Sequence, residues 1–166
     1  MDYKDPIITK LMEKLNTEGP SELRTKYIYG DVLIVPKDEL PVCTIAKNNL
    51  MVLPDTNLED LHIIPIVMNI IYDYTNDLTQ DHQIVAGVNS LYKICEGRDA
   101  TYQLDTDSIM SVLRKYTQLD DNAWISIGQN EQTRIDYGIG QERRGAGIFS
   151  VEARIRFNVT LHLTKP

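Results

Sequence analysis

The sequence predicts an α+β fold, with a mixed, mainly antiparallel β-sheet, two or three helices packed on one face, and one long C-terminal strand. Three observations lead there. Residues 148–163 alternate without a break: Phe149, Val151, Ala153, Ile155, Phe157, Val159, Leu161 and Leu163 against Ser150, Glu152, Arg154, Arg156, Asn158, Thr160 and His162. Side chains on a strand point to opposite faces with period two, so this is one strand with an apolar and a polar face. At about 3.3 Å per residue it would run roughly 50 Å, whereas an ordinary strand has about 5–6 residues. Residues 62–74 are apolar on both faces at first, which marks a central strand. Residues 6–17 and 83–96 instead carry their apolar residues at helical spacing. The C-terminal strand is long enough to outrun its own domain. Its overhang, or the polar face that carries Arg154 and Arg156, then needs a partner.

The elements follow in order. Asp5-Pro6 is a helix start, with Asp as N-cap and Pro at the first helical position. Ile7, Ile8, Leu11, Met12 and Leu15 share a face of the helix 6–17, and Gly19-Pro20 stops it. Thr25 to Val35 is rich in β-branched and aromatic residues and reads as a strand, with a bulge or bend at Gly30-Asp31. A polar turn at 36–39 leads to a second strand at 40–46, and the pair is expected as a hairpin near a sheet edge. Residues 48–61 read as a linker with one apolar patch, Leu50 to Leu53. After the central strand and a loop at 75–80 comes the helix 83–96, ended by Gly97. Asp105 to Asp107 are expected to cap a second, short helix at 107–116. Residues 124–128 form a strand, and 129–147 read as a polar, glycine-rich, flexible excursion. The whole is one domain, 1–166, with a helical segment at 79–116, built as helices on one face of a sheet.

Composition narrows the function classes. The chain has 166 residues, 42% hydrophobic and 25% charged, which is ordinary for a globular protein with a real core. A net charge of −7 argues against a dedicated nucleic-acid binder. The start, Met-Asp-Tyr-Lys-Asp-Pro, lacks a basic n-region and an apolar h-region, so no signal peptide is expected. No apolar run reaches the roughly 18 residues that a membrane span needs. Cys43 and Cys95 are expected as reduced, buried thiols of a cytoplasmic protein.

Sites of chemistry are weakly signalled. Gly138, Gly140, Gly145 and Gly147 lead into a strand, whereas phosphate loops lead into a helix. His62, His82 and His162 are isolated, and no Cys-x-x-Cys or His-x-x-x-His spacing is present, so no metal and no cofactor are expected. No Gly-x-Ser-x-Gly occurs, and Cys43 and Cys95 sit where packing residues belong, so an enzyme is not expected. The candidate residues are those of an interface. Glu142, Arg143 and Arg144 are either a solvated turn or a loop whose arginines pair with carboxylates of a neighbouring subunit. Arg98 allows the same two readings. The nine tyrosines outnumber Phe and Trp combined. Tyr27, Tyr29, Tyr102 and Tyr137 fall in or near loops and edges, where tyrosine favours interfaces or simply packs.

This pattern resembles the tail-terminator (tail-completion) proteins of long-tailed bacteriophages. The residues that carry the likeness are the helix Ile7 to Leu15, then Gly-Asp-Val-Leu-Ile-Val-Pro with Leu-Pro-Val-Cys-Thr-Ile, and the strand Ile-Pro-Ile-Val-Met-Asn-Ile-Ile-Tyr. Further on come Leu91-Tyr-Lys-Ile-Cys-Glu-Gly-Arg-Asp, Ser108-Ile-Met-Ser-Val-Leu-Arg-Lys, and the final strand Ala-Arg-Ile-Arg-Phe-Asn-Val. The likeness covers most of the chain as an order of elements, without a diagnostic motif. It implies a virion protein of the tail or neck, assembled in the host cytoplasm as a homohexameric ring. Such a ring caps the tail tube and ends its growth. Its partners are the tail-tube protein, the head–tail connector and, in a contractile tail, the sheath protein, while DNA passes through the lumen without specific binding. The alternatives are another neck or head-completion connector, a lone binding module, or a small hydrolase.

Overall fold

The N-terminal helix shows how directly the sequence dictates local structure. In the computed structural model, which describes residues 4–30, 35–54, 59–73, 83–126, 133–140 and 150–164, helix α1 spans Pro6–Glu18. Asp5 caps it as expected: its Oδ1 accepts hydrogen bonds from the backbone N–H of Ile7 at 3.0 Å and of Ile8 at 3.4 Å. Ile7, Ile8, Leu11 and Leu15 are buried on one face. The helix stops at Gly19, whose N–H donates to the Leu15 carbonyl at 2.8 Å. A Cβ at Gly19 would lie 2.4 Å from that carbonyl oxygen and 2.8 Å from the Tyr27 hydroxyl, so no larger residue fits without displacement.

Strands β1 (Tyr27–Tyr29) and β2 (Val42–Lys47) follow, joined through a short 3₁₀ turn at Lys37–Glu39. They correct the expected hairpin: β1 lies parallel to β2, with Tyr27 opposite Cys43. Gly30, at φ +86°, turns the chain out of β1, and a parallel pair needs a longer connection than a hairpin turn. The expected linker is also structured. It contains β3 (Met51–Pro54), and β4 begins at Glu59 and runs to Asp73.

Helix α2 (Gln83–Glu96) has its expected bounds. Helix α3 (Ile109–Lys115) starts later than expected because Ser108, rather than the preceding aspartates, is its N-cap; the Ser108 hydroxyl accepts from the Ser111 N–H at 3.2 Å. Then come β5 (Gln118–Asp120), β6 (Ala123–Ser126), β7 (Arg134–Gly140) and β8 (Ser150–Thr164). The expected flexible excursion at 129–147 is therefore partly strand. Residues 134–140 pair antiparallel with β8, from Arg134 opposite Arg156 to Gly140 opposite Ser150.

One mixed, mostly antiparallel sheet results, in the order β1-β2-β4-β8-β6-β5, with β3 added to β4 and β7 to β8. Its spine is the β4–β8 ladder, paired along the full 15 residues of each strand, from Glu59 opposite Thr164 to Asp73 opposite Ser150. Ile64, Ile66, Met68 and Ile70 of β4, with Val151, Ala153, Ile155, Phe157 and Val159 of β8, are buried in one cluster with Leu11 and Leu15 of α1, Leu91 and Cys95 of α2, and Leu113 of α3. The helices thus cover one face. A slip of β8 by one residue would turn its five buried apolar side chains to the other face. Each is worth roughly 1.5–3 kcal/mol of burial when the side chain is large, so the register is strongly determined. On the opposite face a small cluster, Val35, Val42 and Ile71 with Ile28 and Leu40, closes one end.

Candidate functional site

The odd-numbered positions of β4 and the even-numbered positions of β8 face away from the helices, because their neighbours in each strand form the core. This outer face carries Asn69 and Val67 of β4 beside Arg154 and Arg156 of β8. From β7 it receives Arg134, opposite Arg156, and Asp136, opposite Arg154. Three arginines therefore stand on two adjacent strands of a chain whose net charge is −7. Asp136 bridges two of them, with Oδ1 2.6 Å from Arg134 Nε and Oδ2 3.4 Å from Arg156 Nη1. Arg154 is held differently: its Nε donates to the neutral Asn69 Oδ1 at 2.9 Å. The amide fixes the guanidinium without neutralising it. Beside these side chains runs a groove of about 470 Å³, floored by Ala46 and Val67 and edged by Asn48, Asn69, Arg154 and Arg156. A guanidinium fork is suited to a carboxylate or phosphate, and this groove could hold one.

Toward the other end of the ladder the surface becomes apolar. On the core face of β8, burial gives way from fully buried Val159 to Leu163, which is 38% exposed. The core row outruns the helices there. Alongside, Leu50 and Met51 are each 55% exposed, and Val52 and Leu53 are 48% and 41% exposed. Four consecutive exposed apolar residues, three of them in a strand, are unusual, since such a patch commonly marks a binding surface. On the outer face Trp124 stacks edge-to-face on His162, with centroids 5.1 Å apart. Between this end of the β4–β8 ladder and the start of α1 lies a second groove, of about 400 Å³, bordered by two ion pairs, Lys47–Asp5 and Lys10–Asp120. The Asp120 carboxyl is held below its ordinary pKa by Lys10 and by the Asn122 N–H. Both carboxylates there serve structure.

The expected interface residues are distributed unevenly. Arg154 and Arg156 come together on the outer face. Arg98 does not join them: its Nη1 donates to the Tyr102 carbonyl at 3.0 Å and Nη2 lies 3.7 Å from Glu96, so it braces the loop after α2. Tyr137 packs inward. Its hydroxyl donates to Glu96 Oε1 at 2.8 Å and its ring stands edge-on to Tyr92, 4.6 Å between centroids, which ties β7 to α2. Tyr27 is buried, while Tyr102 is 81% exposed. Glu142, Arg143 and Arg144 lie outside the described residues. Arg134 and Asn69 were not among the expected site residues. The alternation of Arg134, Asp136 and Gly138 with Ile135, Tyr137 and Ile139 is the period-two signal that marks β7 and would have placed Arg134 beside Arg156.

Cys43 and Cys95 are buried free thiols. Burial pushes the Cys43 thiol well up, with Cys95 adding to the effect, and pushes Cys95 up to about 12. Neither is poised as a nucleophile. Among the described residues no group of three His, Cys, Asp or Glu side chains could hold a metal ion, and no helix is long and apolar enough to cross a membrane. No protein-family profile matches this chain, and no curated protein is significantly similar to it in sequence.

Proposed function

We propose that the protein is a structural, non-catalytic component of a phage virion that assembles into a ring, caps the tail tube and joins the tail to the neck. The observation that carries the assembly reading is the β4–β8 ladder, which runs past the helices and ends beside the exposed apolar strand β3. A protein that stays alone gains nothing from such an end, and an exposed apolar strand invites aggregation unless a partner covers it. The tail-terminator identity rests on the likeness in the order of elements: capped helix, short strands, central strand, two helices and long final strand. Under this reading the homohexamer, the tube protein, the head–tail connector and, in a contractile tail, the sheath are its partners, and the virion tail or neck is its location.

Light scattering across a concentration range tests the reading. A hexamer, or a monomer that converts to one when tail-tube protein is added, supports it. A chain that stays monomeric even with tube protein present overturns it and favours a lone binding module.

A further inference from the structure

Tyr102 is 81% exposed and holds a backbone φ of +65°. This left-handed backbone is uncommon for a bulky residue and persists only where the surrounding structure imposes it. Here the loop after α2 imposes it. Its legs meet in a bridge between Arg98 and Leu104, and the Asp105 N–H donates to the Gly97 carbonyl at 2.7 Å. Asp99 Oδ1 accepts from the Thr101 N–H and hydroxyl, both at 2.7 Å, and from the Gln103 N–H at 3.1 Å. The Tyr102 N–H donates to the Asp99 carbonyl at 3.0 Å, and its carbonyl accepts from Arg98 Nη1 at 3.0 Å. These bonds fix the backbone and leave the ring in solvent. A strained, fully braced loop that displays an uncovered tyrosine is an interface anchor made rigid in advance, and tyrosine is among the residues that dominate interface energies.

We propose that Tyr102 of one copy inserts into the groove beside α1 of the next copy. This inference rests on the ring reading and names its contact. The groove suits a tyrosine in size and in polarity. Its 400 Å³ are walled by Leu50, Ile64, Leu119, Leu161 and Leu163, while Asn122 and the Lys10–Asp120 pair stand at its edge. An apolar ring with a polar tip fits an apolar floor with a polar rim, and a covered tyrosine removes roughly 150–250 Å² from water. Being neutral, the phenol needs no free charge, so both ion pairs of the groove stay intact. A copy cannot fill its own groove. Glu96, just before the loop, is bound to Tyr137, which pairs with Ala153. Leu161 lies eight residues further along β8, roughly 27 Å away at about 3.4 Å per residue. The groove also adjoins the exposed apolar end of the ladder, where an assembling copy has most to cover. Joining two different patches head to tail gives a heterologous contact, which closes into a ring when the rotation allows.

Two variants test the contact. Tyr102→Gly removes the anchor, and glycine adopts a positive φ freely, so the urea midpoint should hold or rise while self-association falls about tenfold or more. Leu50→Gln with Leu163→Gln makes the groove wall polar without adding charge and should weaken association similarly; far-UV circular dichroism checks that both variants fold. Mixed together, the two should form a dimer and stop, at concentrations where neither associates alone. The groove of the first accepts the tyrosine of the second, and the reverse contact lacks both halves. Wild-type association with no loss in either variant overturns this contact and leaves the ring reading standing. Loss in both without dimer formation in the mixture overturns the pairing of tyrosine with groove. Loss of tail-tube binding in Tyr102→Gly, with self-association unchanged, reassigns the anchor to the tube protein. A wild-type chain that never associates, even with tube protein, overturns the ring reading and the contact with it.

Discussion

Asp5 links the start of α1 to the sheet, and its replacement separates a helix cap from an ion pair. The Asp5 side chain is 4% exposed; one oxygen takes the N–H groups of Ile7 and Ile8, and the other pairs with Lys47, whose side chain is 43% exposed. Asp5→Ala removes both. Loss of the cap costs about 1 kcal/mol. The ion pair adds only about 0.5–1 kcal/mol, because the lysine end is solvated. The expected total is about 1.5–2 kcal/mol, or roughly 3–8 °C in Tm for a chain of this length. Asp5→Asn keeps the cap and loses the charge, so it should cost about 0.5–1 kcal/mol. Lys47→Met should cost more than Asp5→Asn, about 1–3 kcal/mol, because it leaves a buried carboxylate without its cation. Urea titrations followed by circular dichroism, at a concentration where the chain is dispersed, give the differences from midpoint shifts at constant slope. An Asp5→Ala protein within about 0.5 kcal/mol of the parent refutes the capping argument. An order in which Asp5→Asn costs more than Lys47→Met refutes the argument from burial.

Two further predictions concern buried and titrating groups. The Tyr27 hydroxyl is buried without a hydrogen-bond partner among the described residues, so Tyr27→Phe should leave stability unchanged or raise it by about 1 kcal/mol; a loss above that size, read from the urea midpoint, would show a bond to this hydroxyl. The carboxyls of Glu18, Asp99 and Asp120 are all held below their ordinary pKa: Glu18 by Lys115 and Tyr116, Asp99 by Thr101, and Asp120 by Lys10. A folded value below the unfolded one means that the unfolded chain binds more protons in between. Their stabilisation is therefore complete above about pH 5 and lost as the pH falls below about 4. Stability measured by urea titration between pH 6 and 3 should decline with acid, and Glu18→Gln should make that decline shallower. A Glu18→Gln profile parallel to the parent's would remove this carboxyl from the linkage.

What could be read from residues alone was whatever depends on neighbours a few positions apart. Asp5-Pro6 and the row Ile7, Ile8, Leu11, Leu15 define α1; the helix 83–96 is bounded by its own spacing; and the unbroken alternation from Val151 to Leu163 requires a strand with one buried face. Arg154 and Arg156 were assigned to the polar face by the same period of two. Pairing between distant segments was not legible. Parallel or antiparallel placement of β1 on β2 is a matter of tertiary pairing, which leaves no periodic mark in either strand. The glycines of the 134–140 segment disguised β7, and only its ladder with β8 shows Arg134 beside Arg156. Arg98 and Tyr137 looked equally suited to an interface, yet tertiary contacts with Glu96 and Tyr92 turn both to internal use. The sequence by itself determined which faces are apolar, because alternation and helical spacing are local properties of the chain. Only the tertiary structure decided which of those faces stay uncovered, because exposure depends on where the helices end relative to the β4–β8 ladder.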